Sequence, residues 1–310
     1  MSLSPSPSES ENLRSYVIWR TYGAGFWSIV ASTLAHCDLA EKSGYVPVVD
    51  MGNYPAIYQE QSPVNGTNNV WEYYFEQPQG RGIKNIGPDA IITDGTIPRD
   101  YPREIGHDRY RELWKKFAIV KKETGKKIAK NVGDLGTDSR TLGVHFRGQE
   151  MRTAIGHKFP PKLSQMNDAI AHAWDTGDFD EILLVTEAQQ YADSLRRRWG
   201  SRLKITPTYR LRYRNSYTLR EYPRPLHRYQ LGFEALQDAH ILAACGGLVC
   251  GHSGLSEAAV MLRESPFPLR IRISQGRNSF RPYVSPWLWY YKSLVPRQLG
   301  GFPKWLPDSH

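Results

Sequence analysis

Cysteine is scarce in this chain of 310 residues, which contains three. Cys37, Cys245 and Cys250 lie in apolar stretches, without CxxC spacing or nearby histidine clusters, so neither a disulfide framework nor a zinc site is expected. The sequence also lacks a run of about 18 apolar residues, and we therefore expect no membrane span. The opening MSLSPSPSESEN has neither the basic nor the apolar part of a signal peptide. We expect residues 1–14 to be a disordered tail and the protein to be cytoplasmic, with peripheral membrane association left open.

Positive charge and aromatic side chains are abundant instead. Forty basic against thirty-one acidic residues give a net charge of +9, which favours anionic partners such as phosphate-bearing small molecules, nucleic acid or anionic lipid. Nine Trp and eighteen Tyr include many in polar surroundings, as in NVWEYYFEQP and PWLWYYK. Such rings either belong to the core or form platforms for sugars or bases.

The order of apolar segments predicts an α/β fold. Residues 16–52 read as strand, glycine turn, amphipathic helix and strand, which is the unit of a parallel sheet. A second strand–helix alternation begins at TLGVHFRG, after a break near residue 140. We therefore predict two Rossmann-like halves facing a cleft. The predicted divisions are an N-terminal domain at 15–140, a second domain at 141–280, and a C-terminal segment at 281–310 that packs back on the N-terminal half.

Ligands of open parallel sheets bind beyond the carboxyl ends of the strands, so the residues that follow each strand are the first candidates. His145 and Arg147 stand two apart at the end of a strand and would project from one face. Polar or glycine-rich residues also follow the other strands. They are Gly23 and Gly25, Thr186 and Glu187, and Ser253 and Gly254.

Each of these features has a plainer interpretation. An isolated H-x-R is usually a surface salt bridge, and GAG before a helix is often a tight turn. HSGLSE fits a helix N-cap, in which Ser253 or Ser256 satisfies amides, as well as it fits phosphate binding. Asp238 in FEALQDAHILAAC is most simply on a solvated face, although its apolar neighbours also suit a partner inside the cleft.

Three blocks of sequence together resemble the α1,6-/protein O-fucosyltransferase-like glycosyltransferases, which include the nodulation-factor and core fucosyltransferases. The blocks are YVIWRTYGAGFWSIVASTLAHCDLAEKSGYVPVVDM, then GVHFRGQEM with GHKFPP, and EILLVTE through ALQDAHILAACGGLVCGHSGLSEAA. The second is similar to the family's G-V-H-x-R-[RG]-T-D-K. The third is similar to its L-A-T-D strand, L-x-D helix and S-S strand–helix junction. They cover much of residues 16–52 and 141–262.

The resemblance implies a GT-B-like fold with the acceptor side at 15–140 and nucleotide-sugar binding at 141–280. It also implies a GDP-fucose donor, inversion at the anomeric carbon, and no metal or cofactor. By position, His145 and Asp238 match residues that contact guanine, Arg147 matches the arginine on the β-phosphate, and Ser253 matches a serine at the donor phosphates. Gly23, Gly25, Thr186 and Gly254 complete the implied donor site.

The chain departs from the family pattern where catalysis is expected. Gln149, Glu150 and Met151 replace Thr-Asp-Lys, so one cation near the phosphates is missing, and Arg152 is a candidate substitute. Glu150 is the candidate base that removes the acceptor hydroxyl proton, with His157 second, since a carboxylate or an imidazole suits that role.

The leading interpretation is thus a fucosyltransferase-like enzyme that acts on a glycan or glycoconjugate. There are two alternatives. One is an enzyme of the same fold that uses another nucleotide sugar as donor, and the other is a degenerate protein that binds nucleotide or glycan without turnover. Nucleic-acid binding is also suggested by the Arg/Tyr run TYRLRYRNSYTLREYPRPLHRY at 208–229. It ranks lower because no nucleic-acid module is recognised, and we expect no nucleic-acid partner.

Overall fold

The computed structural model describes residues 14–19, 25–53, 56–93, 101–212 and 222–305. The chain forms two compact units: the first is Met1–Lys127 with Tyr222–Ala235, and the second is Ile128–Glu221 with Leu236–His310. Within the described residues the strands make one parallel sheet of three strands and one of five. These two sheets confirm the predicted α/β fold with two Rossmann-like halves.

Helices and strands alternate along most of the described chain. The helices are α1 Phe26–Lys42, α2 Tyr101–Phe117, α3 Lys122–Leu135, α4 Leu163–Thr176, α5 Gln189–Trp199, α6 His227–Ala244, α7 Gly254–Leu262 and α8 Ser285–Leu294. The strands are β1 Ser15–Ile18, β2 Val46–Val49, β3 Ile91–Thr93, β4 Thr141–His145, β5 Glu181–Val185, β6 Leu203–Ile205, β7 Gly247–Cys250 and β8 Leu269–Arg272. The sequence analysis did not predict β8 or α8.

The sheet of the first unit has the order β2-β1-β3. The predicted strand–helix–strand at 16–52 is confirmed, because β1 pairs in parallel with β2 after the helix α1. Gly44, just beyond α1, has φ of 71°. This left-handed conformation favours glycine and ends the helix.

The aromatic run at 71–75 forms core in the first unit. Trp71, Tyr73, Tyr74 and Phe75 are each 2% exposed or less, and Trp71 and Phe75 lie with ring centroids 4.4 Å apart. These rings are therefore packed against one another, and the alternative of a sugar or base platform does not apply to them.

The sheet of the second unit has the order β6-β5-β4-β7-β8, and all its pairs are parallel. Every residue of β4 is buried, as expected for a parallel strand that is covered on both faces. Leu142 and Val144 of β4 pack in one apolar cluster with Met166 and Ile170 of α4. The carboxyl end of β4 is thereby fixed at the centre of the sheet.

The division of the chain differs from the predicted domain boundaries. Residues 222–235, which include the first half of α6, belong to the first unit, where Tyr229 stacks on Tyr74 at 5.4 Å. Residues 281–310 group with the second unit rather than the N-terminal half. There the buried Trp289 packs with Phe159 and Phe302, because these apolar rings find their partners in the loop after β4.

Candidate functional site

The ends of β4 and β7 are neighbours in the second sheet, since His145 pairs in register with Cys250. The loops that follow the two strands therefore leave the sheet at the same edge. His145, Arg147 and Ser253 line one pocket there. The prediction that the H-x-R pair projects together is consistent with this arrangement.

His145 is buried and hydrogen-bonded to the start of α7. Its Nδ1 lies 2.7 Å from Ser256 Oγ and 3.3 Å from Ser253 Oγ. Burial, and then the positive charge of Arg147, lowers the pKa of His145 to about 3. The ring is therefore neutral at physiological pH, and it contributes hydrogen bonds to the site but no charge.

Ser253 is the N-cap of α7. Its Oγ accepts the backbone N–H of Ser256 at 3.2 Å, which confirms the cap interpretation of HSGLSE. The same residue lines the pocket, and Gly254 is the first residue of the helix. Phosphate binding at this helix start remains a prediction.

Arg147 and Glu150 form an ion pair across a short 3₁₀ turn. Glu150 Oε1 accepts from Arg147 Nε at 2.8 Å and lies 2.7 Å from Nη2. Both side chains are 18% exposed. Glu150 Oε2 is also buried, and no described residue hydrogen-bonds to it. One oxygen of the candidate base therefore orients Arg147, while the other makes no hydrogen bond to a described residue.

Glu187 is a residue of this site that the sequence analysis placed only at a strand end and did not assign. Its Oε1 accepts the Gly148 backbone N–H at 3.1 Å. Burial, and then the neighbouring Glu150 carboxylate, raises the pKa of Glu187 to about 7, against the opposing effect of Arg147. The charge of the Arg147 guanidinium therefore acts on two carboxylates, those of Glu150 and Glu187. Its position after β5 was the only sequence signal for Glu187.

Replacing Glu187 by Gln is expected to change how stability depends on pH. The pKa of Glu187 rises from 4.5 to about 7 on folding, so the stabilisation from its bound proton is complete below pH 4.5 and is lost as pH rises through about 7. The free energy of unfolding of Glu187→Gln, relative to wild type, should increase across that window by on the order of 1–3 kcal/mol.

Urea unfolding at several pH values measures this difference. Glu181→Gln, at the other end of β5, is the matched control for loss of a carboxylate from the same strand. A difference between Glu187→Gln and wild type that stays constant from about pH 5 to about pH 8 would contradict the raised pKa.

The pocket at this edge is a small space between the loops that follow β4 and β7. Its lining is His145, Arg147, Met151, Lys158, Pro160, Pro161, Gly251, His252 and Ser253. No carboxylate is among these residues. A Cβ at Gly148 would lie 2.1 Å from Pro160, and one at Gly251 would lie 2.8 Å from Pro161. Glycine at these two positions therefore allows the loops that follow β4 and β7 to approach Pro160 and Pro161 closely.

Lys158 is the second cation of the pocket, and the sequence analysis did not identify it. Its side chain is half-buried, and among the described residues its ammonium group has no ion-pair partner. Burial is the main cause of the lowered pKa of His252. The charges of Arg272 and Lys158 lower this pKa further, while Glu257 opposes them. The pocket thus has an excess of positive charge beyond the Arg147–Glu150 pair.

Arg152 lies elsewhere than the sequence analysis suggested. Its guanidinium is 4.3 Å from the centroid of the Trp289 ring and donates to the Tyr191 hydroxyl. These contacts hold it between aromatic rings, and it does not line the pocket. Lys158 and Met151 both line the pocket, so Lys158 is the better candidate for the missing cation.

Other predicted site residues lie outside the pocket lining. The Thr186 hydroxyl donates to Phe146 O at 2.6 Å and accepts from Ala188 N at 3.2 Å. It thereby links the residues that follow β4 and β5. His157 is exposed, and its pKa is lowered by partial desolvation and then by Arg147. Asp238 is 6% exposed on α6, so the solvated-face interpretation is wrong.

The predicted glycine loop is described only in part. Gly25 is the N-cap residue of α1 in the first unit, and its carbonyl accepts the Ser28 and Ile29 N–H groups at 2.9 and 3.0 Å. Gly23 lies outside the described residues, as does 213–221 of the Arg/Tyr run. The role of this loop in donor binding stays a prediction.

Neither a metal-binding cluster nor a membrane-spanning helix occurs among the described residues. In the part of the chain that the structure describes, no three His, Cys, Asp or Glu side chains are grouped as a metal ion would require. Within the same ranges, no helix combines the length and apolar character needed to cross a bilayer.

Comparison with known proteins gives matches among solved structures. The sequence matches no protein-family model and no curated protein. The structure is similar to that of the NodZ α1,6-fucosyltransferase soaked with GDP-fucose, with a TM-score of 0.50 and 16% identity over 81% of this chain and 93% of that chain. The fucosyltransferase NodZ from Bradyrhizobium gives 0.51 and 15% identity, over 81% and 94%. The chain therefore has the fold of the NodZ fucosyltransferases, and the resemblance indicated by the sequence motifs is confirmed at the level of fold.

Proposed function

We propose that this protein is an inverting, metal-independent glycosyltransferase that transfers fucose from GDP-fucose to a glycan or glycoconjugate. The observation that carries the proposal is the positively charged pocket beyond β4 and β7, where Arg147, Lys158 and the start of α7 meet without a lining carboxylate. Open α/β sheets bind nucleotides at such strand ends. The fold shared with NodZ, whose crystal was soaked with GDP-fucose, supports GDP-fucose as the first donor to test.

In the proposed reaction the acceptor hydroxyl oxygen attacks the anomeric carbon of fucose as the bond from that carbon to the β-phosphate oxygen breaks. Negative charge develops on the departing GDP, and Arg147 and Lys158 stabilise it. Cations fixed before the reaction do this with little reorganisation. Arg147 is fixed in this way by its ion pair with Glu150.

Glu150 takes the proton of the attacking hydroxyl in this mechanism. Its Oε2 has no hydrogen-bond partner among the described residues, whereas Oε1 accepts from Arg147. A base must be able to receive the proton within hydrogen-bond reach of the acceptor. Glu187, whose Oε1 is held by the Gly148 amide, keeps the backbone of this loop in place.

A nucleotide-binding protein without turnover is the competing function. Met151 stands where the resembling enzymes have lysine, and the ion pair with Arg147 withdraws one oxygen of Glu150 from catalysis. This function predicts that the protein binds GDP-fucose but neither transfers nor hydrolyses it, even when acceptor is in excess.

Thermal unfolding with a panel of ligands tests the proposed donor. A ligand that binds only the native state raises the unfolding temperature with concentration, so no acceptor is needed. GDP and GDP-fucose should stabilise the protein, while UDP and CMP compounds should not. Stabilisation by another base would overturn GDP-fucose as donor. Tight, salt-sensitive binding of random RNA without any response to nucleotides would favour a nucleic-acid-binding protein instead.

Lys158→Ala is expected to weaken GDP binding by about 10- to 100-fold, because an ammonium–phosphate contact is worth about 1.5–3 kcal/mol. The affinity for guanosine, which has no phosphate, should not change. Isothermal titration of both ligands into wild type and variant measures this. The exposed Lys130, which pairs with Asp134 on α3, provides the control Lys130→Ala. Equal GDP affinity in Lys158→Ala and wild type would remove Lys158 from the phosphate site.

A further inference from the structure

One side of α8 presents large apolar side chains to solvent. Trp287 is 72% exposed and Leu294 is 86% exposed, and Tyr290 and Tyr291 between them are 42% and 52% exposed. Spacings of three, four and seven residues place these side chains on one side of the helix. An outward stripe of this kind is unusual for a helix of a folded domain, whose apolar stripe normally faces the core.

Two neighbouring residues extend this surface. Tyr283, just before the helix, is 92% exposed, and Leu299, just after it, is 65% exposed. The turn that carries Leu299 is held to the helix, because the Tyr291 hydroxyl donates to Leu299 O at 3.2 Å. We call the set the C-terminal face; its members are Tyr283, Trp287, Tyr290, Tyr291, Leu294 and Leu299.

The opposite side of α8 is firmly seated on the second unit. Trp289 is 8% exposed, donates its indole N–H to Pro160 O at 3.0 Å, and lies against Phe159 and Phe302. At the helix start, Asn278 Nδ2 donates to Ser285 O at 3.0 Å. Because α8 is anchored on its other side, the C-terminal face is held in an exposed position.

The charge of this region is of one sign. Between residues 265 and 305 the sequence has no Asp or Glu, and it has seven basic residues, namely Arg270, Arg272, Arg277, Arg281, Lys292, Arg297 and Lys304. Arg281, Arg297 and Lys304 are exposed, and none of them has a carboxylate partner among the described residues. An apolar and aromatic surface is thus bordered by uncompensated positive charge.

We propose that the C-terminal face docks on a bilayer surface that contains anionic lipid. Trp and Tyr favour the headgroup region, where the ring is buried and its polar atom stays hydrated. Leu294 and Leu299 reach the acyl boundary, and the cations pair with lipid phosphates. A second copy of this chain is a poorer occupant, because a two-fold contact would bring the same cations together. The inference does not depend on the proposed transferase activity.

Co-sedimentation with vesicles, without nucleotide, tests the inference. The wild-type protein should bind vesicles of phosphatidylcholine mixed with phosphatidylglycerol, and should bind phosphatidylcholine alone more weakly. Trp287→Ala with Leu294→Ala should lower the affinity by on the order of tenfold or more, since less apolar surface is buried. Arg281→Ala with Arg297→Ala should lower it by about fivefold for each charge, with less loss at high salt.

Trp19→Ala is the matched control, because Trp19 is 43% exposed in the first unit and should leave vesicle binding unchanged. Arg147→Ala should bind vesicles as wild type does, which separates this inference from the donor site. Failure of the folded wild-type protein to bind either vesicle would overturn the proposal. So would concentration-dependent dimerisation that Trp287→Ala abolishes, because a second copy would then be the occupant.

Discussion

Arg147→Ala is expected to abolish transfer and to weaken GDP binding by on the order of 100-fold or more, since losing one partner of a desolvated charge pair costs about 2–5 kcal/mol. In the proposed complex the guanidinium contacts the diphosphate and stabilises its charge as fucose leaves. Its loss also removes the positive charge that offsets the carboxylates of Glu150 and Glu187. Both effects weaken the binding of an anionic ligand such as GDP.

Arg140→Ala is the matched control for this experiment. Arg140 lies in the same unit and pairs with Asp178 on the surface at 2.6 Å, where an ion pair contributes little to stability. Titration calorimetry with GDP and single-turnover transfer from GDP-fucose measure the two losses. Turnover near the wild-type rate in Arg147→Ala would defeat the phosphate assignment.

Glu150→Gln should separate binding from chemistry. The amide oxygen of Gln can still accept the Arg147 N–H groups that Oε1 accepts at 2.7 and 2.8 Å, so the donor site keeps its geometry. GDP binding should be retained or become tighter, because a negative charge beside the phosphates is removed. The rate of transfer should fall by about 10²–10⁴-fold, the usual contribution of a general base.

The variant His157→Gln is the comparison for the base. In the proposed mechanism Glu150, which pairs with Arg147, takes the proton, so the rate of the variant at the exposed His157 should stay near that of wild type. If Glu150→Gln keeps the full rate while His157→Gln loses it, His157 is the base. A protein that binds GDP-fucose with no turnover in any form would instead fit the binding function.

Much of the fold and part of the site could be predicted from the sequence. The strand at 141–145 has an apolar centre at residues 142–144, so its burial and the position of His145 and Arg147 at its end follow from local pattern. The N-cap at Ser253 is equally local, because it depends on residues within one helical turn. These residues could be placed at strand ends without knowledge of the tertiary contacts.

Lys158 could not be predicted in the same way. It lies in the loop after β4 rather than directly at a strand end, and the isolated bridge to Arg277 is a tertiary contact. The sequence pattern instead favoured Arg152, which the rings of Trp289 and Tyr191 hold away from the pocket. The direction of a long cationic side chain depends on which aromatic rings lie beside it in three dimensions.

The burial of the aromatic segments could not be predicted from the sequence either. NVWEYYFEQP and PWLWYYK have similar composition, yet Trp71 is 2% exposed and Trp287 is 72% exposed. Burial is decided by packing against distant residues, such as Tyr229 stacked on Tyr74. The sequence alone could not tell which segment forms core and which forms a surface.

A crystal structure of the protein with GDP bound tests the central claim most directly. The account predicts the diphosphate in the pocket of the second unit, with β-phosphate oxygens at about 2.7–2.9 Å from the Arg147 guanidinium and the Lys158 ammonium. The Arg147–Glu150 pair should remain formed. GDP bound elsewhere, or bound with its phosphates away from both cations, would contradict the assignment of this pocket as the donor site.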